Sequence, residues 1–184
     1  MAGPFGAVSV FPADHGQGGL APFPDPDRNT WYAADRTVLT EGFDTESMDG
    51  QRVAPLMGDY QDADVGVLRL RSMPNFWVHA SCDHAVAARL LPAGPRKTIV
   101  RGYWLVDQFA REGDDYQLDR LLPFWQLTNE QDWDICKWQQ KGVDSVGYEP
   151  GPLSRLENCM LEFHNLLRER IPEARLPSAP ARFT

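Results

Sequence analysis

Residues 98–106 alternate more cleanly than any other stretch of this 184-residue chain. Val100, Trp104 and Val106 fall on one side of an extended backbone, and Ile99, Arg101, Tyr103 and Leu105 on the other. The segments before it are short, β-prone and punctuated by turn residues. Residues 30–33 and 42–46 are expected to be strands on either side of a polar stretch. Met48-Asp49-Gly50-Gln51 then reads as a tight turn with Asp-Gly at its centre. Residues 65–73 alternate weakly, and Asn75-Phe76-Trp77-Val78-His79 is rich in strand formers. Residues 85–91 are apolar and end at the turn Pro92-Ala93-Gly94-Pro95. Strands joined by such short turns pair antiparallel, so three or four of these runs are expected to form a meander.

The pattern then becomes helical, which makes the expected class α+β. At about 100° per residue, Trp125, Asn129, Asp132, Cys136 and Gln139 lie within roughly 40° of one line down a helix. That helix is expected over residues 116–141, with this line facing the core and Asp134, Lys137 and Lys141 facing solvent. Pro123 either starts it or kinks it, and Gly142 is its natural stop. Ser154-Arg155-Leu156-Glu157 is a capping box that opens a second helix. Leu156, Met160, Phe163 and Leu167 form the core stripe of that helix, His164 lies beside it, and Pro172 ends it. Residues 1–28, dense in Gly and Pro, are expected to be a loose lead-in and residues 172–184 a disordered tail. One domain, residues 29–171, remains between them.

Composition narrows the partners. With 42% apolar and 24% charged residues, the chain has the balance of a soluble globular protein. A net charge of −8, with basic residues scattered rather than clustered, argues against nucleic acid and against an anionic membrane surface. No apolar stretch is long enough to span a bilayer, and no signal peptide is evident at the N-terminus. Three cysteines without C-x-x-C spacing suggest reduced thiols in a cytoplasmic protein rather than a disulfide framework.

An ionised carboxylate facing a core is costly unless a cation, a metal or a hydrogen-bond network compensates it. Asp132 therefore has two readings: a buried residue bonded to a neighbouring loop, or a metal-ligating carboxylate in a pocket. His79 and His84 would join Asp132 to give two imidazoles and a carboxylate, the donor set of a mononuclear iron(II) site with open positions. Strand positions five apart point to opposite faces unless a turn intervenes, so pocket lining or strand-end hydrogen bonding is the competing role for both histidines. Cys82 stands beside Asp83 and His84, but adjacent strand residues do not normally form the Cys–His hydrogen bond of an activated nucleophile. The six tryptophans are core filling by default. Several of them beside a carboxylate could line an apolar cavity or an aromatic cage. There is no G-x-S-x-G elbow, phosphate-cradling glycine loop or dinucleotide fingerprint.

Several separated motifs resemble one family in that family's order. They are Pro74-Asn75-Phe76-Trp77-Val78-His79, Asp83-His84-Ala85-Val86, Arg89-Leu90-Leu91-Pro92, Thr98-Ile99-Val100-Arg101 and Trp104-Leu105-Val106. The helical part adds Glu130-Gln131-Asp132, Ile135-Cys136 and Gln139-Gln140-Lys141-Gly142-Val143, followed by Tyr148-Glu149-Pro150-Gly151-Pro152-Leu153-Ser154 and Phe163-His164. Over residues 29–167 the chain resembles the C-terminal half of the catalytic domain of Rieske-type oxygenase α subunits. Within that family the likeness is to the ring-hydroxylating and quaternary-ammonium-oxidising members.

The resemblance implies a helix-grip (START/SRPBCC-like) fold, an antiparallel sheet packed on a long C-terminal helix, here incomplete. It implies one mononuclear Fe(II), with Asp132 in the position of the family's carboxylate ligand and Trp125 and Asn129 lining the substrate pocket. It also implies an O₂-dependent hydroxylation or demethylation of a small aromatic or quaternary-ammonium substrate. Electrons would come through a reductase or ferredoxin, and a homotrimer is among the assemblies it allows. The departures are specific. Intact relatives hold a [2Fe–2S] cluster through C-x-H and C-x-x-H, and this sequence has neither motif. The family's helix with two iron-binding histidines, E-x-x-H-x-x-x-x-H, is also missing, and Lys137 stands where many relatives carry Glu. The chain is therefore expected to be inactive in isolation. The competing expectation is a non-catalytic helix-grip module that binds a small apolar or cationic ligand.

Overall fold

The alternation that singles out residues 98–106 places that segment at one edge of a sheet. A computed structural model describes residues 32–154 and 158–171. Five strands, β1 (Tyr32–Thr37), β2 (Val67–Ser72), β3 (Phe76–Ala80), β4 (His84–Gly94) and β5 (Lys97–Val106), pair in sequence order. Every pairing is antiparallel, as short connections require. Three helices follow, α1 (Leu118–Leu121), α2 (Pro123–Val143) and α3 (Asn158–Arg170). The class is α+β.

Register decides which side chains meet. Trp77 lies opposite Ala88, which lies opposite Gly102; one step along, His79 lies opposite Val86, which lies opposite Trp104. Directly opposed residues share a face, so Trp77, His79, Val86 and Trp104 form one surface. The expected faces of β5 hold: Val100, Trp104 and Val106 are half-buried, whereas Ile99, Tyr103 and Leu105 are exposed. Pro123 opens α2, where its missing N–H costs nothing. Phe124 and Trp125 in that first turn are buried with Val86, and Phe43, Trp77 and Trp104 pack around them.

Four expectations change. Residues 42–46 are not a strand. The Asp44 and Thr45 amides both bond the Gly50 carbonyl at 2.8 and 3.3 Å, curling the segment on itself. Thr45, Glu46 and Ser47 are all buried in succession, which a two-residue alternation does not allow. Gly142 does not stop α2, which continues to Val143. Met160 is exposed rather than part of a core stripe. Most consequentially, Asp132, Cys136 and Gln139 are exposed, not buried. The helical line through them is real, but from Asp132 to Pro152 every described side chain is exposed, so no described neighbour turns that line into an interior face. Ile135 and Trp138, three residues apart, share one side of α2 and Trp133 lies on the other, and all three are exposed.

The chain divides into two compact units between Gln131 and Asp132, inside α2. The sheet, the 43–55 loop and the start of α2 belong to the first, and α3 belongs to the second. The lead-in over residues 1–28, the tail over 172–184, Thr30, Trp31 and the capping-box residues Arg155, Leu156 and Glu157 lie outside the described residues. Among the described residues no helix is long and apolar enough to cross a membrane.

Gly50 closes the 43–50 loop with φ of 76°, a left-handed conformation that other residues rarely adopt. A methyl group at that position would run into the Phe43 ring. Gly50→Ala is expected to lower unfolding free energy by about 3 kcal/mol, combining backbone strain with overpacking. Urea titration followed by tryptophan fluorescence measures it. A loss within experimental error of zero would mean that the loop is not seated on the sheet as described.

Candidate functional site

The chemistry-bearing residues of the first unit gather around the β3–β4 connection. Asp83 sits in that connection and is fully buried. Its two oxygens divide four donors. Oδ1 accepts from Thr45 Oγ1 at 2.6 Å and faces His84 Nδ1 at 2.8 Å. Oδ2 accepts from the backbone amides of Val53 at 2.7 Å and Ala54 at 3.3 Å. Burial alone would raise the Asp83 pKa. The His84 hydrogen bond and charge, the Thr45 hydroxyl and the Val53 amide outweigh it and hold the carboxyl below its usual range. His84 is itself buried, and its Nδ1 must carry the proton that meets this carboxylate.

Cys82 is also fully buried, with its Sγ donating to the Asp44 carbonyl at 3.3 Å. Burial, then the Asp83 and Asp44 carboxylates, push its thiol up to about 12. A protonated, enclosed thiol is neither a nucleophile nor a metal ligand at neutral pH.

Next to Thr45 on the same loop, Glu46 is buried and aims both carboxylate oxygens at His79 Nδ1, each at 3.2 Å. The His79 ring in turn meets two indoles edge-on. Its centroid lies 5.0 Å from that of Trp125 at 88° and 5.3 Å from that of Trp77 at 67°. The two indoles are 5.2 Å apart, and Phe124 stands 5.7 Å from Trp125 at 87°. These are spacings of rings in mutual contact. A cation held between two rings needs its own place within about 6 Å of each centroid, which rings already touching do not leave. The cluster is thus a wall, able to offer outer faces but not an enclosed cage. Within it, the buried Nε1 atoms of Trp125 and Trp104 have no hydrogen-bond partner among the described residues.

The sequence candidates are therefore distributed unevenly. Trp125 is in the core of the wall and Asn129, one turn on, is half-buried. His79 and His84 stand on either side of a hairpin connection, each with Nδ1 turned to a different carboxylate. Asp132 belongs to the second unit and is exposed. Among the described residues no three His, Cys, Asp or Glu side chains gather closely enough to hold a metal. The described residues do not make up a mononuclear iron site. Sequence reasoning missed Glu46, because a strand was expected there, and missed Asp83 as the centre of the network. In the sequence Asp83 stands only as a neighbour of Cys82 and as part of the motif Asp83-His84-Ala85-Val86, and neither marks it as the centre of a buried network.

Comparison with known proteins gives one family. Residues 9–173 match the family described as the ring hydroxylating alpha subunit (catalytic domain). The chain is 42% identical over 121 residues to the glycine betaine monooxygenase oxygenase subunit of Chromohalobacter salexigens, which covers 65% of this chain and 27% of that protein. It is 36% identical over 138 residues to the Pseudomonas aeruginosa protein of the same name, covering 74% of this chain and 32% of that one. To the chloroplastic choline monooxygenase of Arabidopsis thaliana it is 28% identical over 98 residues, or 53% and 23% of the two chains. The chain spans about a quarter to a third of the length of these relatives.

Because the Asp83 carboxyl is held below its ordinary value, its stabilisation is present at neutral pH. It is lost as pH falls from about 3.9, the unfolded value, through the lower native one. Asp83→Asn keeps one acceptor but turns an NH₂ group against backbone amides. It is expected to cost about 3 kcal/mol at pH 7, with the gap to the unmodified chain narrowing below about pH 3.9. Urea titrations at a series of pH values test this; a gap that stays constant into acid would show that the ionised carboxylate is not what the network stabilises.

Proposed function

This chain belongs to the catalytic-domain family of Rieske-type ring-hydroxylating oxygenase α subunits, and from that premise we propose that it forms the sheet-and-helix portion of an oxygenase acting on a small quaternary-ammonium compound. The observation that carries the reading is the family match over residues 9–173 together with the 42% identity to a glycine betaine monooxygenase oxygenase subunit. The reaction proposed is an O₂-dependent hydroxylation that leads to loss of an N-methyl group. Mononuclear Fe(II) would supply the oxygen chemistry, with electrons delivered through a [2Fe–2S] cluster and a reductase.

Within this portion, the five strands are read as part of a helix-grip sheet. Trp125 and Asn129 are read as lining the substrate side, and Asp132 as the carboxylate contributed to the iron. The wall of Trp77 and Trp125 suits a methylated ammonium group, whose diffuse charge and apolar methyls are attracted to an indole face. The His79 imidazole, in contact with both indoles, hydrogen-bonds Glu46, which keeps a buried carboxylate from standing alone. Since the described donors are incomplete for iron, the chain by itself is read as unable to turn over substrate. One observation favours a second reading. A packed aromatic wall, with no set of metal-binding side chains among the described residues, is also what a non-catalytic binding module would show.

A chimera decides between them. Residues 29–171 replace the matching stretch of the Chromohalobacter salexigens subunit, and iron content and betaine-dependent O₂ uptake are measured with the reductase present. The chimera is expected to hold iron and consume O₂, and Asp132→Ala in it to lose both while its circular dichroism is unchanged. The isolated chain is expected to do neither. Turnover by the isolated chain, or a chimera indifferent to Asp132→Ala, would reject the oxygenase assignment of these residues.

A further inference from the structure

Glu46 is a carboxylate that its loop does not need as an anchor. The 43–55 loop is already fixed to the sheet by Asp83, which accepts from the Thr45 hydroxyl and from the Val53 and Ala54 amides. Yet beside Thr45 a second carboxylate is buried, its side chain 7% exposed and both its oxygens 3.2 Å from His79 Nδ1. Burying an ionised carboxylate is costly, and a glutamine carbonyl would accept the same Nδ1–H at a lower desolvation cost. The hydrogen bond alone therefore does not explain an acid at this position. What glutamine cannot supply is charge.

One imidazole links that carboxylate to both indoles of the wall. The His79 ring bonds Glu46 through Nδ1 and meets Trp125 and Trp77 with centroids 5.0 and 5.3 Å away. With a single ring proton, on Nδ1, His79 carries the hydrogen bond and leaves the pair with one negative charge. A charge out of water is screened much less than one on the surface, so its field reaches a group resting on either indole. Two cations share this face of the sheet, Arg69 opposite His79 and Arg71 opposite Trp77, and each already has an interaction of its own in the chain. Their charge is a background that a change at Glu46 leaves in place. An indole attracts a methylated ammonium through the charge and through the methyl groups, and a neutral tert-butyl group of the same shape gains only the second attraction. The carboxylate acts on the cation and not on its neutral counterpart.

We propose that Glu46 is a specificity-determining residue: its buried carboxylate, bonded to His79, makes the Trp77–Trp125 wall select a quaternary-ammonium group over an uncharged group of the same shape. This role rests on the reading of that wall as the substrate side. It is built from contacts that the loop, β3 and the first turn of α2 make among themselves, and it involves no iron ligand.

The chimera with the Chromohalobacter salexigens subunit, supplied with reductase, tests this with two ligands that differ by one atom. Glycine betaine is the substrate, and 3,3-dimethylbutyrate, with carbon in place of nitrogen, is the competitive inhibitor; both keep the carboxylate. Glu46→Gln is expected to raise the betaine KM about tenfold, the scale for charges roughly 10 Å apart at an effective dielectric of about 20, while Ki for 3,3-dimethylbutyrate stays within about twofold. Glu46→Asp keeps the charge and is expected to keep the ratio of the two constants. In the full chain by itself, ¹⁵N NMR at mildly alkaline pH is expected to show His79 with one protonated and one unprotonated ring nitrogen. Equal losses for both ligands in Glu46→Gln would mean that the residue only holds the loop, and would overturn the proposal. An unchanged betaine KM, or an imidazole with both nitrogens protonated, would overturn it as well. A chimera that consumes no O₂ with betaine rejects the oxygenase reading, and tryptophan fluorescence titration of the full chain with the same two ligands then decides the role of Glu46. A preference for betaine that Glu46→Gln abolishes supports it; equal binding of the two, or none, overturns it.

Discussion

A single buried carboxylate organises the first unit of this protein. Asp83 has no access to water, and an ionised group in that position survives only if its lone pairs are filled. Four donors fill them, drawn from Thr45, His84, Val53 and Ala54. Three of those donors belong to the long excursion between β1 and β2. The carboxylate is therefore the point at which a segment with no regular structure acquires a fixed place on the sheet. A hydrophobic contact at that site would have been non-directional. The four-way hydrogen bonding sets both where the loop lies and how it is rotated, and Glu46 follows from that rotation.

From Glu46 the order passes to His79, to the two indoles and to the first turn of α2. Each step is short and each relies on a different interaction, a carboxylate–imidazole hydrogen bond followed by edge-to-face ring contacts. The arrangement concentrates indole surface next to a polar pair whose members hydrogen-bond each other. Two indole N–H groups remain within it without partners among the described residues. Burying such a donor costs about 1–3 kcal/mol, which an arriving acceptor would recover.

The alternating β5 and the extended run that became β3 were legible because a strand's environment is written locally in two-residue steps, whereas the turn expected at 92–95 came too early: β4 continues to Gly94. The family was legible for a different reason: several short motifs kept their order along the chain. What escaped was non-local. Thr45 has the propensity of a strand, yet it is turned inward by Asp83, 38 positions away, and Glu46 beside it by His79, 33 positions away. Asp132 failed in the opposite direction. Its angular position on α2 is correct, but burial depends on what packs against a face, and no described neighbour covers that one. Helical periodicity can say which residues share a side; it cannot say that anything is on the other side of the interface.

The thiol of Cys82 adds a kinetic property to this network. Closed in beside Asp83 and capped by the Asp44 carbonyl, it has neither the ionisation nor the access that alkylating reagents need. It acquires both only during excursions in which the β3–β4 connection comes apart from its loop. Under conditions where reclosing is fast, the speed of its modification is the intrinsic thiolate rate multiplied by the population of that open form. One sulfur atom in the native sequence thereby serves as a built-in gauge of local breathing at the junction where loop and sheet are joined.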